Sequence, residues 1–426
     1  MIIVSRRLAQ FMESTEDRPP SNAWAFNQSL GDDSSTEYKE TDTISALAFS
    51  PNGNYLAVGD KSGRIWIHQE RKDKKLGSRR CYQHYTYFQS HSHDIDYLKS
   101  QDIEEKINMI KWCPPIQSSQ LLLSTNDKSV KLWKVRLTID QAQRFKDGHS
   151  YHINSLSLCS DGETFISSDD LRINMWNLSI PHISFNIMDM KPSHMEDLTE
   201  VITAAQFHPI QCNQLIFSSS RGVLRVMDLR HRAILTTPDC TLEQEPDPND
   251  RSFFSEIVSS ISDCQYSDDG RFIVSRDYLT AKIWDLRQTR RAYDTVSIHE
   301  HIRSKLADVY ENDSIFDKFE ICASSRAISS TQLVTGSYDN EAVIYDWDKR
   351  TLDRLKPLRS TYEVSRNDLS SYSFHADDRG RRKNKLWQEM DYSNKCLHVS
   401  WHPSDDVVAV SCNTDLNIYQ RIDKSI

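Results

Sequence analysis

Short apolar strands alternate with polar turns along most of this 426-residue chain. In the clearest copies, Ile44–Trp66 and Ile261–Asp285, an aliphatic-rich strand leads into an Asn/Asp/Gly turn, a second strand, and a third strand that ends near Trp. The other copies also end near a large apolar residue: Trp133, Trp176, Met227, Tyr345 and Tyr419. These anchors recur at about 43 to 74 residues, against the roughly 40 to 45 of a bare WD repeat. The pattern predicts an all-β, seven-bladed WD-repeat β-propeller with inter-blade insertions.

Turn residues support the number of blades, because Asn52-Gly53, Asp161-Gly162 and Asp269-Gly270 supply the positive φ angles that tight hairpins need. The predicted blade cores are 43–68, 105–135, 152–178, 201–229, 257–286, 315–347 and 395–420. One further strand, Trp24–Leu30, is predicted to form the outer edge of the last blade, which would close the ring by pairing the two ends of the chain.

These elements predict one propeller domain at 22–420, between a flexible N-terminal tail at 1–21 and a C-terminal tail at 421–426. Residues 349–390 lack strand periodicity and contain the basic cluster Arg379–Lys385, so they are predicted to be a flexible inter-blade loop. A Ser-x-x-Glu pattern that begins at Ser193 predicts a short capped helix.

Composition narrows the function classes. The 52 basic and 61 acidic residues give a net charge of −9, which argues against general nucleic-acid binding and favours basic partners. Nine cysteines are scattered singly with no Cys-x-x-Cys pair, as expected for reduced core thiols in a cytoplasmic or nuclear protein. No run of about eighteen apolar residues occurs, so no membrane span is expected.

The chain has no phosphate-binding loop, nucleophile elbow or metal-spaced His/Glu motif, so we expect no catalytic residue, cofactor or metal. The histidines fit blade construction better, because a buried His before a blade can hydrogen-bond an Asp in the turn before the last strand. The predicted pairs are His91 or His93 with Asp127, His149 with Asp169 or Asp170, and His299 or His301 with Asp339.

Asp169 and Asp170 are adjacent, and this structural role can use only one of them. The other carboxylate either lines the mouth of the central channel, where it would contribute to a negative potential, or is a solvated turn acid.

Two stretches carry more than a generic WD repeat. Asp94–Asn108 and Asp147–Asp161 closely resemble the hallmark segments of the WD-repeat regulatory B subunits of protein phosphatase type 2A. Further stretches resemble the same family: Leu123–Lys134, Asp169–Trp176, Leu198–Ala205, Arg251–Ile257 and Tyr310–Phe319. The resemblance covers about residues 22 to 420.

The resemblance implies a non-catalytic subunit of a heterotrimer. Such a subunit joins a helical-repeat scaffold subunit and a Ser/Thr phosphatase catalytic subunit, and it recruits phosphoprotein substrates with basic flanks through an acidic groove on the top face. By the resemblance, Asp170 lines the groove and Asp169 is the structural acid. The groove residues that it implies are Glu40, Lys61, Tyr151, Asp170 and Leu198.

The chain departs from the family pattern at two places. Only about a dozen residues separate Val135 from His149, where the family has a long hairpin arm that grips the scaffold. Glu341-Ala342 stand where the family has aromatic residues near the groove. The alternative hypothesis is therefore a WD-repeat adaptor or scaffold of another complex that has lost phosphatase docking. A hydrolase in the central channel ranks last, because no catalytic constellation supports it.

Overall fold

The computed structural model describes residues 24–31, 40–71, 79–96, 100–115, 119–136, 139–146, 148–231, 234–235, 237–244, 253–325, 331–356 and 392–421. The predicted tail at 1–21 lies outside these ranges, as do residues 422–426 and residues 357–390 of the predicted loop, with its basic cluster.

Seven four-stranded antiparallel sheets form the blades, which confirms the predicted fold. Strands are numbered in chain order. The first three blades contain β2 (Ile44–Phe49), β3 (Tyr55–Asp60), β4 (Arg64–Arg71) and β5 (Cys81–Gln89); β8 (Met109–Trp112), β9 (Gln120–Thr125), β10 (Val130–Val135) and β11 (Ile139–Phe145); and β12 (Ser155–Leu158), β13 (Thr164–Ser168), β14 (Arg172–Asn177) and β15 (Ile180–Asp189).

The remaining blades follow in the same order. Blades four to six contain β16 (Ile202–Phe207), β17 (Gln214–Ser219), β18 (Leu224–Asp228) and β19 (Cys240–Leu242); β20 (Ile261–Tyr266), β21 (Phe272–Asp277), β22 (Thr280–Asp285) and β23 (Asp294–Ser297); and β24 (Ile321–Ala323), β25 (Gln332–Gly336), β26 (Ala342–Asp346) and β27 (Thr351–Leu355). Blade seven contains β28 (Val399–Trp401), β29 (Val407–Cys412), β30 (Asp415–Arg421) and β1 (Trp24–Leu30).

The connections hold the other elements. They are the two-stranded hairpin of β6 (Asp94–Asp96) and β7 (Gln101–Ile103), the helices α1 (Ser255–Ser259) and α2 (Leu306–Glu311), and 3-10 turns at Glu40–Asp42, Met195–Asp197, Glu300–Lys305 and Ser314–Phe316.

The predicted closing strand is confirmed, because β1 pairs antiparallel with β30 along the outer edge of blade seven. Trp24 packs edge-on against Trp401 with ring centroids 5.5 Å apart, and Phe26 does the same with Tyr419 at 5.8 Å. The N-terminal strand thus completes the sheet that the C-terminal strands begin, and it covers the edge of β30.

The core lies between the blades, where a separate apolar cluster fills each of the seven interfaces. Three of the Trp anchors that end the third strands, Trp133, Trp176 and Trp284, are buried there. Their indole nitrogens donate to serines of the neighbouring second strand: Trp133 to Ser124, Trp176 to Ser167 and Trp284 to Ser275, at 2.8–3.0 Å. Each anchor therefore buries a large apolar surface without an unpaired N–H group.

The innermost strands, β2, β8, β12, β16, β20, β24 and β28, line the central channel. Long polar side chains on these strands, or directly before one of them in the case of Glu320, accept backbone N–H groups from the next blade. Gln206 accepts the N–H of Tyr266, Gln265 that of Ala323, and Glu320 that of Val399. These bonds join neighbouring innermost strands across the gaps where no sheet pairing exists.

Three local predictions need correction. Thr351–Leu355, placed in the predicted loop, is the outer strand of blade six, because its backbone pairs with β26 although most of its side chains are exposed. Arg421 belongs to β30, not to the C-terminal tail. Ser193 caps no helix: only a 3-10 turn follows, with His194 at its N-terminal boundary and no side-chain cap.

The connection after the third strand of blade two is short. Only residues 136–138 join β10 to the outer strand β11, and three residues are too few to form a hairpin arm.

Candidate functional site

All five predicted groove residues lie on one face of the propeller, which we call the upper face. This face holds the segments that precede each innermost strand and the turns between the second and third strands, because successive strands run antiparallel. Glu40, Tyr151 and Leu198 precede β2, β12 and β16, whereas Lys61 and Asp170 occupy the turns after β3 and β13.

The adjacent acids Asp169 and Asp170 have different surroundings. Asp169 is fully buried and accepts hydrogen bonds from His149 Nδ1 at 3.0 Å and from the backbone N–H groups of Leu171 and Arg172. Burial alone would raise the pKa of Asp169, but these hydrogen bonds outweigh it and hold the pKa below its usual value. Asp169 is therefore the structural acid of blade three.

Asp170 instead faces the mouth of the central channel and is half-buried. Burial, more than any neighbouring charge, raises the pKa of Asp170, and the charge of Lys318 acts in the opposite direction. Within the described residues, no side chain or backbone N–H donates a hydrogen bond to this carboxylate. Its backbone carbonyl accepts the N–H of Ile202 at 2.8 Å, which ties the turn to the segment that carries Leu198.

The predicted pairing of Asp127 with His91 or His93 is wrong, whereas in blade six only the His299 alternative is wrong and the pairing of His301 with Asp339 stays a prediction. Buried His91 contacts Ser90 Oγ, and Asp127 pairs with His152 Nδ1 at 3.0 Å instead. Asn126 takes the capping role in that turn, because its side-chain oxygen accepts the N–H groups of Lys128 and Ser129.

In blade six, His299 bonds Ser337 Oγ and the carbonyl of Tyr278, each at 2.9 Å, rather than Asp339. His301 is half-buried, and the Asp339 carboxylate is close enough to affect its pKa, although burial dominates and lowers that pKa.

A cavity of about 450 Å³ forms the channel mouth on the upper face. Its polar lining includes Lys106, Asp127, His152, Asp170, Asp317 and Lys318. Asp263 and Glu320 also line it, so the mouth carries both signs of charge, with five carboxylates against two ammonium groups. Burial lowers the pKa of Lys106 most, and the positive charge of Lys61 in the blade-one turn lowers it further.

Glu40 and Lys61 form a pair at the blade-one side of this face, with Lys61 Nζ 3.0 Å from Glu40 Oε1. Glu40 is 80% exposed and Lys61 36%, so the pair contributes little to stability. The positive charges of Lys61 and Lys318 both lower the pKa of Lys106, and the charge of Lys318 also lowers the pKa of Asp170. Tyr151 and Leu198 are half-buried beside the blade-three and blade-four segments.

The chain is similar to known proteins over most of its length. The profile of the family described as WD domain, G-beta repeat matches residues 34–68 and 141–177. The chain is 40% identical to the protein phosphatase PP2A regulatory B subunit of Schizosaccharomyces pombe, over 96% of this chain and 100% of the relative. It is 39% identical to the serine/threonine-protein phosphatase 2A regulatory subunit sur-6 of Caenorhabditis elegans, over 94% of this chain and 90% of the relative.

The chain belongs to the family of protein phosphatase 2A regulatory B subunits. The alignment with the fission-yeast relative runs over 471 residues, more than the 426 of this chain, so that relative contains segments that this chain lacks. The short connection at 136–138 is one place where such a difference fits.

An exposed aromatic cluster on the upper face of this regulatory B subunit was missed by sequence reasoning. Phe253 is 73% exposed, Phe316 56% and Tyr310 40%, and Tyr310 has ring contacts with both phenylalanines. Phe316 also lines the channel mouth. The available signal was that the stretches Arg251–Ile257 and Tyr310–Phe319 resemble the family although they lie outside the blades.

In the part of the chain that the structure describes, no three His, Cys, Asp or Glu side chains are grouped so as to hold a metal ion. None of the helices in the described ranges combines the length and apolarity that a membrane crossing requires.

Proposed function

We propose that this chain is a non-catalytic subunit of a type 2A Ser/Thr protein phosphatase, and that it recruits phosphoprotein substrates through its upper face. The observation that carries the proposal is the similarity, over nearly the whole chain, to two proteins named as regulatory subunits of that phosphatase. A helical-repeat scaffold subunit and the catalytic subunit are the proposed protein partners.

The substrate site is proposed to centre on Asp170. Its carboxylate is half-buried and accepts no hydrogen bond from the described residues, whereas the neighbouring Asp169 is saturated. A half-buried carboxylate that accepts no hydrogen bond is stabilised when a Lys or Arg side chain of a ligand binds it. The charge-assisted hydrogen bond offsets the cost of desolvating the carboxylate.

The rest of the site would recognise a mixed segment. Glu40 and Lys61 offer one charge of each sign, and Tyr151 and Leu198 offer partly buried apolar surface. The basic side chains at the mouth, Lys106 and Lys318, limit how much positive charge a bound segment can carry there. We therefore propose that the preferred segment has basic residues near Asp170 and not along its whole length.

Scaffold docking is proposed to use surfaces of the propeller body, because residues 136–138 leave no room for an arm after β10. Without an arm, the interface with the scaffold would be smaller than that of a relative that has one. Binding to the scaffold would therefore be weaker unless another contact replaces the arm.

The charge reversal Asp170→Lys tests the substrate site. It should weaken binding of a phosphopeptide with Lys/Arg flanks by about tenfold or more, since it replaces an attractive charge with a repulsive one. Fluorescence anisotropy at two salt concentrations measures this, and wild-type binding should weaken at high salt because exposed charge pairs are screened.

Glu163→Lys is the matched control, because Glu163 is exposed in the turn after β12, on the opposite face. It should bind the peptide as the wild type does. Equal binding by Asp170→Lys and wild type would show that Asp170 is not a ligand, and unfolding of Asp170→Lys would show that the two adjacent acids have been assigned the wrong way round.

A further inference from the structure

Two buried cysteines of blade seven touch each other. Cys396 Sγ lies 3.0 Å from Cys412 Sγ, and the two residues are 0% and 6% exposed. Both sulfurs belong to the apolar cluster between blades six and seven. They are therefore held together by the packing of two neighbouring sheets.

The backbone around this pair is well anchored. Cys396 precedes β28, and its N–H donates to the carbonyl of Ser337 in blade six at 2.9 Å. Cys412 is the last residue of β29, and its sulfur accepts a hydrogen bond from Asn417 Nδ2 at 3.2 Å. The contact thus joins the segment that enters blade seven to that blade's second strand.

We propose that Cys396 and Cys412 form a site of reversible oxidation, at which a peroxide converts the two thiols into a disulfide. The thiolate of Cys412, the more exposed of the two, attacks one peroxide oxygen, which breaks the O–O bond and leaves a sulfenic acid and water. The thiolate of Cys396 then attacks the Cys412 sulfur and displaces the hydroxide, which leaves as a second water after taking up a proton. Two thiols and one hydrogen peroxide become one disulfide and two waters.

Geometry favours the second step. A disulfide is about 2.05 Å long, so the sulfurs need to approach by only about 1 Å from their present distance. Because the fold already holds both thiols in contact, the closing step is intramolecular and competes well with further oxidation of the sulfenic acid. The same burial that holds the pair in contact makes the first step slow. It raises the pKa of the Cys396 thiol well above its usual range, and it shields both sulfurs from solvent.

The disulfide would strengthen the closing blade. It would link the entry of β28 to the end of β29, in the sheet that also contains the N-terminal strand β1. A cross-link within this blade restricts the unfolded chain and opposes separation of the strands that close the ring. The oxidised protein should therefore melt at a higher temperature than the reduced protein.

Peptide mapping of the full-length wild-type chain tests the proposal. The folded protein is treated with graded hydrogen peroxide, its free thiols are then alkylated, and its peptides are identified by mass spectrometry without reduction. We expect a Cys396–Cys412 linked peptide that disappears on treatment with dithiothreitol, and a thermal midpoint that rises with the linked fraction. A chain in which both cysteines remain alkylatable, or in which either is oxidised to a sulfonic acid without the linked peptide, would overturn the proposal.

Two variants separate this pair from other buried thiols. Cys412→Ser should abolish both the linked peptide and the rise in thermal midpoint on oxidation. Cys159→Ser is the matched control, since Cys159 is also a buried blade cysteine; it should preserve both. If Cys412→Ser does not fold, the wild-type peptide map still decides the question, because it requires no substitution.

Discussion

At the scale of single residues, the turn between β13 and β14 shows how neighbouring carboxylates acquire different functions. The Asp169 carboxylate is enclosed by one imidazole and two backbone N–H groups, and Asp170 points into the channel mouth. The first acid holds the turn in place, and the second is the one that we propose to bind substrate.

Alanine substitutions should separate these two roles. Asp169→Ala leaves His149 and two backbone N–H groups without their acceptor, and should lower the free energy of unfolding by about 3 kcal/mol. Asp170→Ala removes a half-buried carboxylate that accepts no hydrogen bond from the described residues. It should change the free energy of unfolding by less than about 0.5 kcal/mol. Urea denaturation of both variants measures the difference; similar losses would contradict the assignment.

A second residue-scale prediction concerns Asp263 in the channel wall. Burial, followed by the negative charge of Glu320, raises the pKa of Asp263 to about 7. The folded state therefore binds this proton more tightly than the unfolded state, so the stabilisation is complete below about pH 4 and is lost as pH rises towards 7.

Asp263→Asn removes this titration, and its thermal midpoint should rise relative to wild type between pH 5 and pH 8. Glu163→Gln, at an exposed site, is the control, and its thermal midpoint should differ from that of the wild type by the same amount at every pH. If the difference in thermal midpoint between Asp263→Asn and wild type is also independent of pH, Asp263 is ionised throughout this range.

Pairings of single side chains were only partly predictable from the sequence. His149 and Asp169 could be paired because the repeat places them at fixed positions in one blade. In blade two, Asn126 and not Asp127 follows the second strand directly, as Asp169 does in blade three. Asn126 therefore caps the turn and leaves Asp127 for His152. The pairing was missed because the acid nearest to the turn was aligned one residue away from the capping position.

At the scale of elements, the hairpins between first and second strands share a backbone conformation but not an environment. Gly53 and Gly162 have φ angles of 70° and 71° in equivalent turns. A Cβ on Gly53 would collide with the buried imidazole of His402, whereas the nearest atom to a Cβ on Gly162 is Pro114 Cγ at 3.8 Å. Packing of the preceding blade in the ring therefore distinguishes two turns that look alike in sequence.

This difference gives a matched pair of variants. Gly162→Ala should cost about 1 kcal/mol of unfolding free energy, for the positive φ angle alone. Gly53→Ala should cost about 1–3 kcal/mol more, because His402 has to move in a packed interface. Denaturation midpoints measure both, and equal costs would mean that the imidazole moves away without loss of packing.

Element prediction succeeded where burial leaves a strong pattern. The inner three strands of every blade have buried faces, and the sequence predicted them in order. Outer strands such as Thr351–Leu355 expose most of their side chains, so their periodicity is weak and only backbone pairing defines them. The hairpin strands β6 and β7 and the helices α1 and α2 are three to six residues long, too short for a hydrophobic period to appear.

At the scale of the whole molecule, closure of the ring gives the upper face its fixed geometry. The strand β1 joins the ends of the chain in blade seven, and side chains such as Gln206 and Glu320 bond the innermost strands of adjacent blades. The residues proposed to bind substrate come from turns of blades one, three and four, and they share one surface only because the ring is closed.

We propose that this regulatory B subunit assembles into a phosphatase complex although three residues leave no room for an arm after β10. Affinity purification of the tagged full-length chain from native extract at low salt, with identification of the bound chains, tests this assembly. We predict recovery of a helical-repeat scaffold and a Ser/Thr phosphatase catalytic subunit. The Asp170→Lys variant should retain both, because this substitution affects substrate binding alone. If the wild type recovers neither chain but does recover other partners in stable amounts, the chain is an adaptor of another complex.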